Sequence, residues 1–264
     1  MASRLNTSDR KRALDDDRIA VLYGLPSQAY EKLVEVLSEH PPYDCGKLEI
    51  PSVIQNVSWQ QYQVLLEAFG DLSLPHTYDR GTLEILMSPR MDHDWVKTLV
   101  ARMIEAASLD LDIEIKCIGS TTLGHEDSRR GLQPDECYYV AREPLMRGKA
   151  TLDLNTDPPP DLAIEIDVTS SSVPRLPVFA KIGVPEVWRW DGKRLAFLRR
   201  GGSGEYRSTA RSLAFPFLRP ADIERFLKMK QTQTENSIIR AFVEWARAAS
   251  KKKPNGRTKD QQHD

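Results

Sequence analysis

The alternation of apolar and polar positions is strictest between Asp161 and Val168. Leu162, Ile164, Ile166 and Val168 fall on one side of an extended chain; Asp161, Ala163, Glu165 and Asp167 fall on the other. Pro158, Pro159 and Pro160 stop any regular structure before it, so the pattern predicts a strand. A helical period appears elsewhere. Trp95, Val96, Leu99, Val100, Met103, Ile104 and Ala107 make one apolar stripe over Asp92–Leu109, with Lys97, Thr98, Arg102 and Glu105 opposite. Ser58 and Gln61 have capping-box spacing. The stripe of Trp59, Tyr62, Leu65, Leu66 and Phe69 that follows predicts a helix ending at Gly70. Further helices are expected over Ser27–His40, Val173–Ile182, Pro220–Met229 and Glu235–Ala249.

The remaining strands are shorter. Tyr78 to Gly81 reads as a turn into a strand over Thr82–Met87, and Leu111–Cys117 alternates. Gly119–Gly131 reads as a polar loop, and Gln133–Val140 as a strand introduced by Pro134. Gly183–Asp191 reads as a turn and strand. Asp191-Gly192 signals a hairpin into Arg194–Arg199, and Gly201–Gly204 turns into Glu205–Arg211. Strands and helices thus interleave, which points to a mixed α and β architecture.

Composition narrows the class without naming a function. A chain of 264 residues with 40% hydrophobic and 28% charged residues is long enough to bury a substantial core. It has no apolar run of about 18 residues, so no membrane partner is expected. The N-terminus is polar, without the apolar segment of a secretory signal. Cys45, Cys117 and Cys137 give neither a disulfide framework nor a zinc spacing, and a cytoplasmic location suits them. Formal net charge is -1, so binding to nucleic acid would have to use a local basic patch.

The strand of Asp161–Val168 carries the odd chemistry. Carboxylates on one face of a strand repel one another and are costly to bury. The strand is either an edge strand with a wet face or an acidic strand that binds a metal. If it pairs antiparallel with the 135–140 strand, Asp135 approaches the Glu165–Asp167 region. Asp161 is roughly 13 Å from Glu165 at ~3.3 Å per residue, too far to share an ion. A hard cation needs carboxylates converging from different segments. Asp135 with Glu165, and Asp167 beside them, is therefore the expected metal set, and Asp161 a strand-entry residue. His93, on the buried side of its helix N-terminus, is either a cap or packing group or a residue reaching an internal site.

Pro134-Asp135 followed by Glu165 on the next strand resembles the PD-(D/E)xK nuclease superfamily. Three longer segments, Gln133-Pro-Asp-Glu-Cys-Tyr-Tyr139, Pro159-Pro-Asp-Leu-Ala-Ile-Glu-Ile166 and Gly183-Val-Pro-Glu-Val-Trp188, together resemble the Uma-two family of restriction-type endonucleases. So does Met87-Ser-Pro89 with His93 opening a helix. The resemblance spans roughly Ser58 to Phe217. It implies an α/β (α+β) fold, a restriction-endonuclease-like mixed β-sheet flanked by helices, extended here by N- and C-terminal helices. It also implies Mg²⁺- (or Mn²⁺-) dependent cleavage of DNA, and a homodimer as one arrangement for cutting both strands.

The superfamily places a Lys two residues after the second acid, where this chain has Asp167. In the resembling family a Lys often comes from the next helix, where Arg175 stands, with Lys181 further on. An arginine can stabilise phosphate charge but is too basic to relay a proton. Arg175 then acts electrostatically, or Lys181 substitutes, or catalysis is impaired and the chain is a DNA-binding or protein-interaction module. On the active reading, Asp135 and Glu165 hold the metal, and His93 or Glu84 supports it or its water. Arg129, Arg130, Lys193 and Arg194 are candidate phosphate contacts, which would not specify sequence. The expected organisation is an N-terminal arm and accessory helix over 1–57, a nuclease-like core over 58–217, C-terminal helices over 218–250 and a basic tail over 251–264.

Overall fold

A computed structural model describes residues 52–69, 75–86, 91–166 and 173–251. The helix expected over Ser27–His40, the Met87-Ser-Pro89 motif, Asp167 and nearly all of the basic tail lie outside those residues. The architecture is α+β, with two sheets flanked by helices. The first sheet has the order β1-β3-β2-β6-β5 and all its pairs are antiparallel. Its strands are β1 (Ser52–Ile54), β2 (His76–Asp79), β3 (Thr82–Ile85), β5 (Leu123–His125) and β6 (Arg130–Leu132). The second sheet has the order β11-β10-β9-β8-β7-β4. It comprises β4 (Lys116–Cys117), β7 (Glu136–Tyr139), β8 (Leu162–Ile166), β9 (Glu186–Trp190), β10 (Leu195–Arg200) and β11 (Tyr206–Thr209).

The acidic strand is β8, and it is central. It pairs antiparallel with β7 and parallel with β9. All of its residues are buried, which overturns the edge strand with a wet face. Leu162, Ile164 and Ile166 enter one core with helix α2 (Met91–Asp110), while Ala163 enters another with helix α4 (Arg175–Ile182). The parallel β8–β9 pair requires a crossover, and α4 supplies it. Pro174 precedes α4 and Pro177 lies in its first turn, where backbone amides have no intrahelical acceptor, so neither proline breaks it. Gly183 closes the helix with φ 95°, a left-handed conformation suited to glycine.

The first core is completed by α5 (Pro220–Leu227) and α6 (Glu235–Ser250), which contribute Ile223, Phe226, Ile238, Phe242 and Ala246. Arg102 ties α2 to α6 through Glu235 at 2.7 Å. Helix α1 (Trp59–Phe69) lies against the first sheet, and the single-turn helix α3 (Glu143–Met146) follows β7. The capping box of α1 forms as the spacing requires: Ser58 N donates to Gln61 Oε1 at 2.7 Å and Gln61 N to Ser58 Oγ at 3.2 Å. Tyr62 stacks on Tyr78 with centroids 4.5 Å apart.

Three local readings change. The polar loop over Gly119–Gly131 contains the β5–β6 hairpin. The strand over Leu111–Cys117 contracts to Lys116–Cys117, with Ile113 and Ile115 packing on the core from irregular backbone. The Tyr78–Gly81 turn is shorter, since Tyr78 and Asp79 belong to β2. Arg80 at φ 46° and Gly81 at φ 99° form the two-residue turn to β3.

Candidate active site

The site lies at the C-terminal end of β8. The β7–β8 register pairs Glu136 with Ile164, and one further step sets Asp135 opposite Glu165. Asp135 is held there by the sheet, because Ile166 N donates to its Oδ2 at 2.6 Å. Its other oxygen faces His93 Nε2 at 3.3 Å, from the first turn of α2. His93 Nδ1 lies 3.3 Å from Asp94 Oδ1. Burial pulls the His93 pKa down, but hydrogen bonding and charge attraction from Asp135 and Asp94 outweigh it, so the imidazole titrates above its ordinary range.

Glu165 meets Arg175, the first residue of α4. Arg175 Nε donates to Oε2 at 2.7 Å and Nη2 to Oε1 at 2.9 Å, a two-pronged charge-assisted contact. The rest of the guanidinium is also engaged. Nη2 donates to Gln133 O at 2.7 Å, and Nη1 to Thr77 Oγ1 at 2.8 Å and His76 O at 3.4 Å. One side chain thus joins the second sheet, the first sheet and the segment before β7. The Arg175 and Glu165 side chains are 13% and 9% exposed, so solvent screens them little. Removing one partner from such a pair costs about 3–5 kcal/mol.

The other predicted residues separate. Glu84, on β3, is buried and its Oε2 accepts Val173 N at 3.0 Å, just before α4. Its register partner on β2 is Thr77, the residue that holds Arg175. Lys181 is exposed at the last turn of α4. Six residues on from Arg175, it points about 120° away around the helix. Asp161 caps the opposite end of β8, its Oδ2 accepting Val140 N at 2.8 Å and Arg142 N at 2.9 Å, as strand geometry required. Arg129, Lys193 and Arg194 are exposed. Arg130 corrects the expected basic surface pair: it is buried, with Nε 2.9 Å from Asp79 Oδ1. Lys193 and Arg194 follow β9, whose Trp190 pairs with Ile166, so they share the site's end of the sheet. Gln133, Thr77, His76 and Asp94 escaped sequence reasoning. Only two carried a signal: Gln133 opens one of the segments that carry the family resemblance, and Asp94 follows His93 in the chain.

Residues 59–230 match the model of the Uma2 family, described as "Putative restriction endonuclease". The chain belongs to the Uma2 family. The match begins one residue after the expected Ser58 and reaches past Phe217 and through α5. Among solved structures, this Uma2 chain is similar to "a putative nuclease belonging to DUF820 from Anabaena variabilis ATCC 29413". Identity is 15% and the TM-score 0.42, over 72% of this chain and 99% of that one. No curated protein matches.

Family membership raises the question of a divalent cation. Among the described residues of the Uma2 chain, no group of three or more His, Cys, Asp or Glu side chains is arranged to hold a metal ion. A small hard cation such as Mg²⁺ needs less, since it is commonly held by one or two carboxylates with water and substrate phosphate. Asp135, just before β7, and Glu165, near the end of β8, are hard oxygen donors set opposite each other and fit that requirement. Glu165, however, already carries the charge-matched fork of Arg175.

Proposed function

We propose that this Uma2 chain is a DNA endonuclease that hydrolyses phosphodiester bonds with Mg²⁺ or Mn²⁺ held by Asp135 and Glu165. The observation that carries the reading is the seating of Asp135 opposite Glu165, with its carboxylate fixed on the Ile166 amide. A bound divalent ion supplies a water of lowered pKa and neutralises charge on the phosphate. The chain's own residues prepare that chemistry. Ile166 N and His93 fix the orientation of Asp135. Asp167 is proposed as a further oxygen donor. Glu84 steadies the entry to α4, and thereby Arg175, through the Val173 amide. Lys193 and Arg194, at the site's end of the sheet, and Arg129 are proposed to contact backbone phosphates, giving affinity without sequence preference. A homodimer would bring two such centres to opposite strands.

The test is cleavage of supercoiled plasmid in Mg²⁺ or Mn²⁺ by the wild type, Asp135→Ala and Glu165→Ala. Activity confined to the wild type is expected; equal nicking by all three would trace it to contamination. A second reading, a nuclease-fold module that binds DNA without cutting, draws support from the Arg175–Glu165 fork. Binding to plasmid with no nicking in either metal would select it.

A further inference from the structure

We infer that Arg175 is a built-in counter-cation for Glu165, and that a divalent ion and the Arg175 guanidinium compete for that carboxylate. The inference rests on the proposed metal role of Glu165 and adds a regulation to it: the protein as described is the arginine-held form of the site.

The geometry supports competition rather than cooperation. A guanidinium has five N–H donors. Those of Arg175 reach Glu165 twice, Gln133 O, Thr77 Oγ1 and His76 O, so its donors are spent on protein acceptors. A phosphate can be bound by Arg175 only at the expense of these contacts. Both Glu165 oxygens receive an N–H from the fork. Placing a dication on the same carboxylate brings it against a fixed guanidinium in a buried site, where like charges repel strongly. The acceptors come from β2, the segment before β7, and β8, so the fork also fixes how these strands meet at the site. The cation is therefore part of the fold, not a mobile surface arginine. Metal binding has to displace it or loosen it.

Mn²⁺ serves as the probe, with binding followed by calorimetry and thermal unfolding followed in parallel, on the full chain without DNA. The variants are Arg175→Lys, which keeps the charge but not the fork, and Arg175→Gln, which removes the charge. Both are expected to bind Mn²⁺ more tightly than the wild type, Arg175→Gln at least tenfold and Arg175→Lys by less, since its ammonium still repels the ion. Both are expected to unfold at lower temperature without metal and to regain more of that loss with Mn²⁺ than the wild type gains. Adding Glu165→Gln to Arg175→Lys should abolish the gain. Should Arg175→Gln fail to fold, Arg175→Lys alone carries the comparison. Equal or weaker Mn²⁺ binding by the folded Arg175 variants overturns the competition and leaves the endonuclease reading standing. Absence of Mn²⁺ binding in the wild type and every variant overturns both. Tighter binding in the variants without plasmid cleavage supports the competition while removing the cleavage claim.

Discussion

The two ends of β8 carry carboxylates of nearly equal burial, the Asp161 side chain 11% and the Glu165 side chain 9% exposed, each beside an arginine. They are satisfied in different ways. Asp161 takes two backbone amides, Val140 N and Arg142 N, and its ion pair with Arg142 is longer, at 3.3 Å, with the arginine 34% exposed. Backbone donors are fixed by the strand ends, so this carboxylate is committed to holding the turn after β7. Glu165 takes side-chain donors from α4, while the neighbouring Asp135 reaches His93 on α2. Side chains can exchange partners, and charges from several elements meet there. Equal burial therefore does not mean equal setting: backbone donors hold Asp161, while side-chain donors hold Glu165, the carboxylate proposed to bind the ion.

The largest effect should come from breaking the arginine at each end. Arg175→Ala is expected to destabilise the fold by about 3–5 kcal/mol, since it strips a buried charge of its partner. Arg142→Ala should cost no more than about 1 kcal/mol, because its pair is partly solvated and Asp161 keeps both amides. Urea unfolding midpoints measure the difference, and equal losses would erase the distinction. Next comes activity. Asp135→Ala is expected to lower metal-dependent plasmid cleavage on the order of 100-fold by removing charge at the reacting centre. Asp161→Asn should leave cleavage within a few-fold of wild type while lowering stability by about 1.5–3 kcal/mol. A large activity loss in Asp161→Asn would mean that the far end of β8 is not merely structural. Smaller again, Lys193→Ala and Arg194→Ala should each weaken DNA binding uniformly across sequences and reduce the salt-dependence slope by about one. An unchanged slope by fluorescence anisotropy would remove that loop from the interface.

Much of this comparison was legible in the chain itself. The alternation of Leu162, Ile164 and Ile166 located β8, and the ~3.3 Å rise per residue separated Asp161 from Glu165. The antiparallel pairing of β7 with β8 brought Asp135 to the right end. The burial of the acidic face was not legible. Alternation of polar with apolar residues ordinarily signals one wet face, and here α4 covers it, with Arg175 neutralising Glu165. The β5–β6 hairpin was missed because its strands are short and each contains a glycine. Gly131 answers to tertiary packing: a Cβ there would collide with the Tyr62 ring. No local period reports such a demand. The acceptors of Arg175 were hidden for a related reason. His76 and Thr77 sit on β2, and the reading of a turn at Tyr78 obscured that strand.

The smallest effect concerns the proton on His93. Its pKa is raised, so the stabilising pair with Asp135 is fully present below the unfolded-state value of about 6.5 and is lost as pH rises through the higher folded value. Asp135→Asn removes the stronger of the two carboxylate influences while leaving the burial that opposes charge. The His93 titration, followed by NMR of the imidazole, should then move down in pH, and Asp94→Asn should move it less. No comparable response is expected from Asp161→Asn, since Asp161 sits at the far end of the strand. A His93 titration indifferent to Asp135 would mean that their 3.3 Å approach carries no charge coupling. The site's end of β8 would then lose one of the features that set it apart from the other.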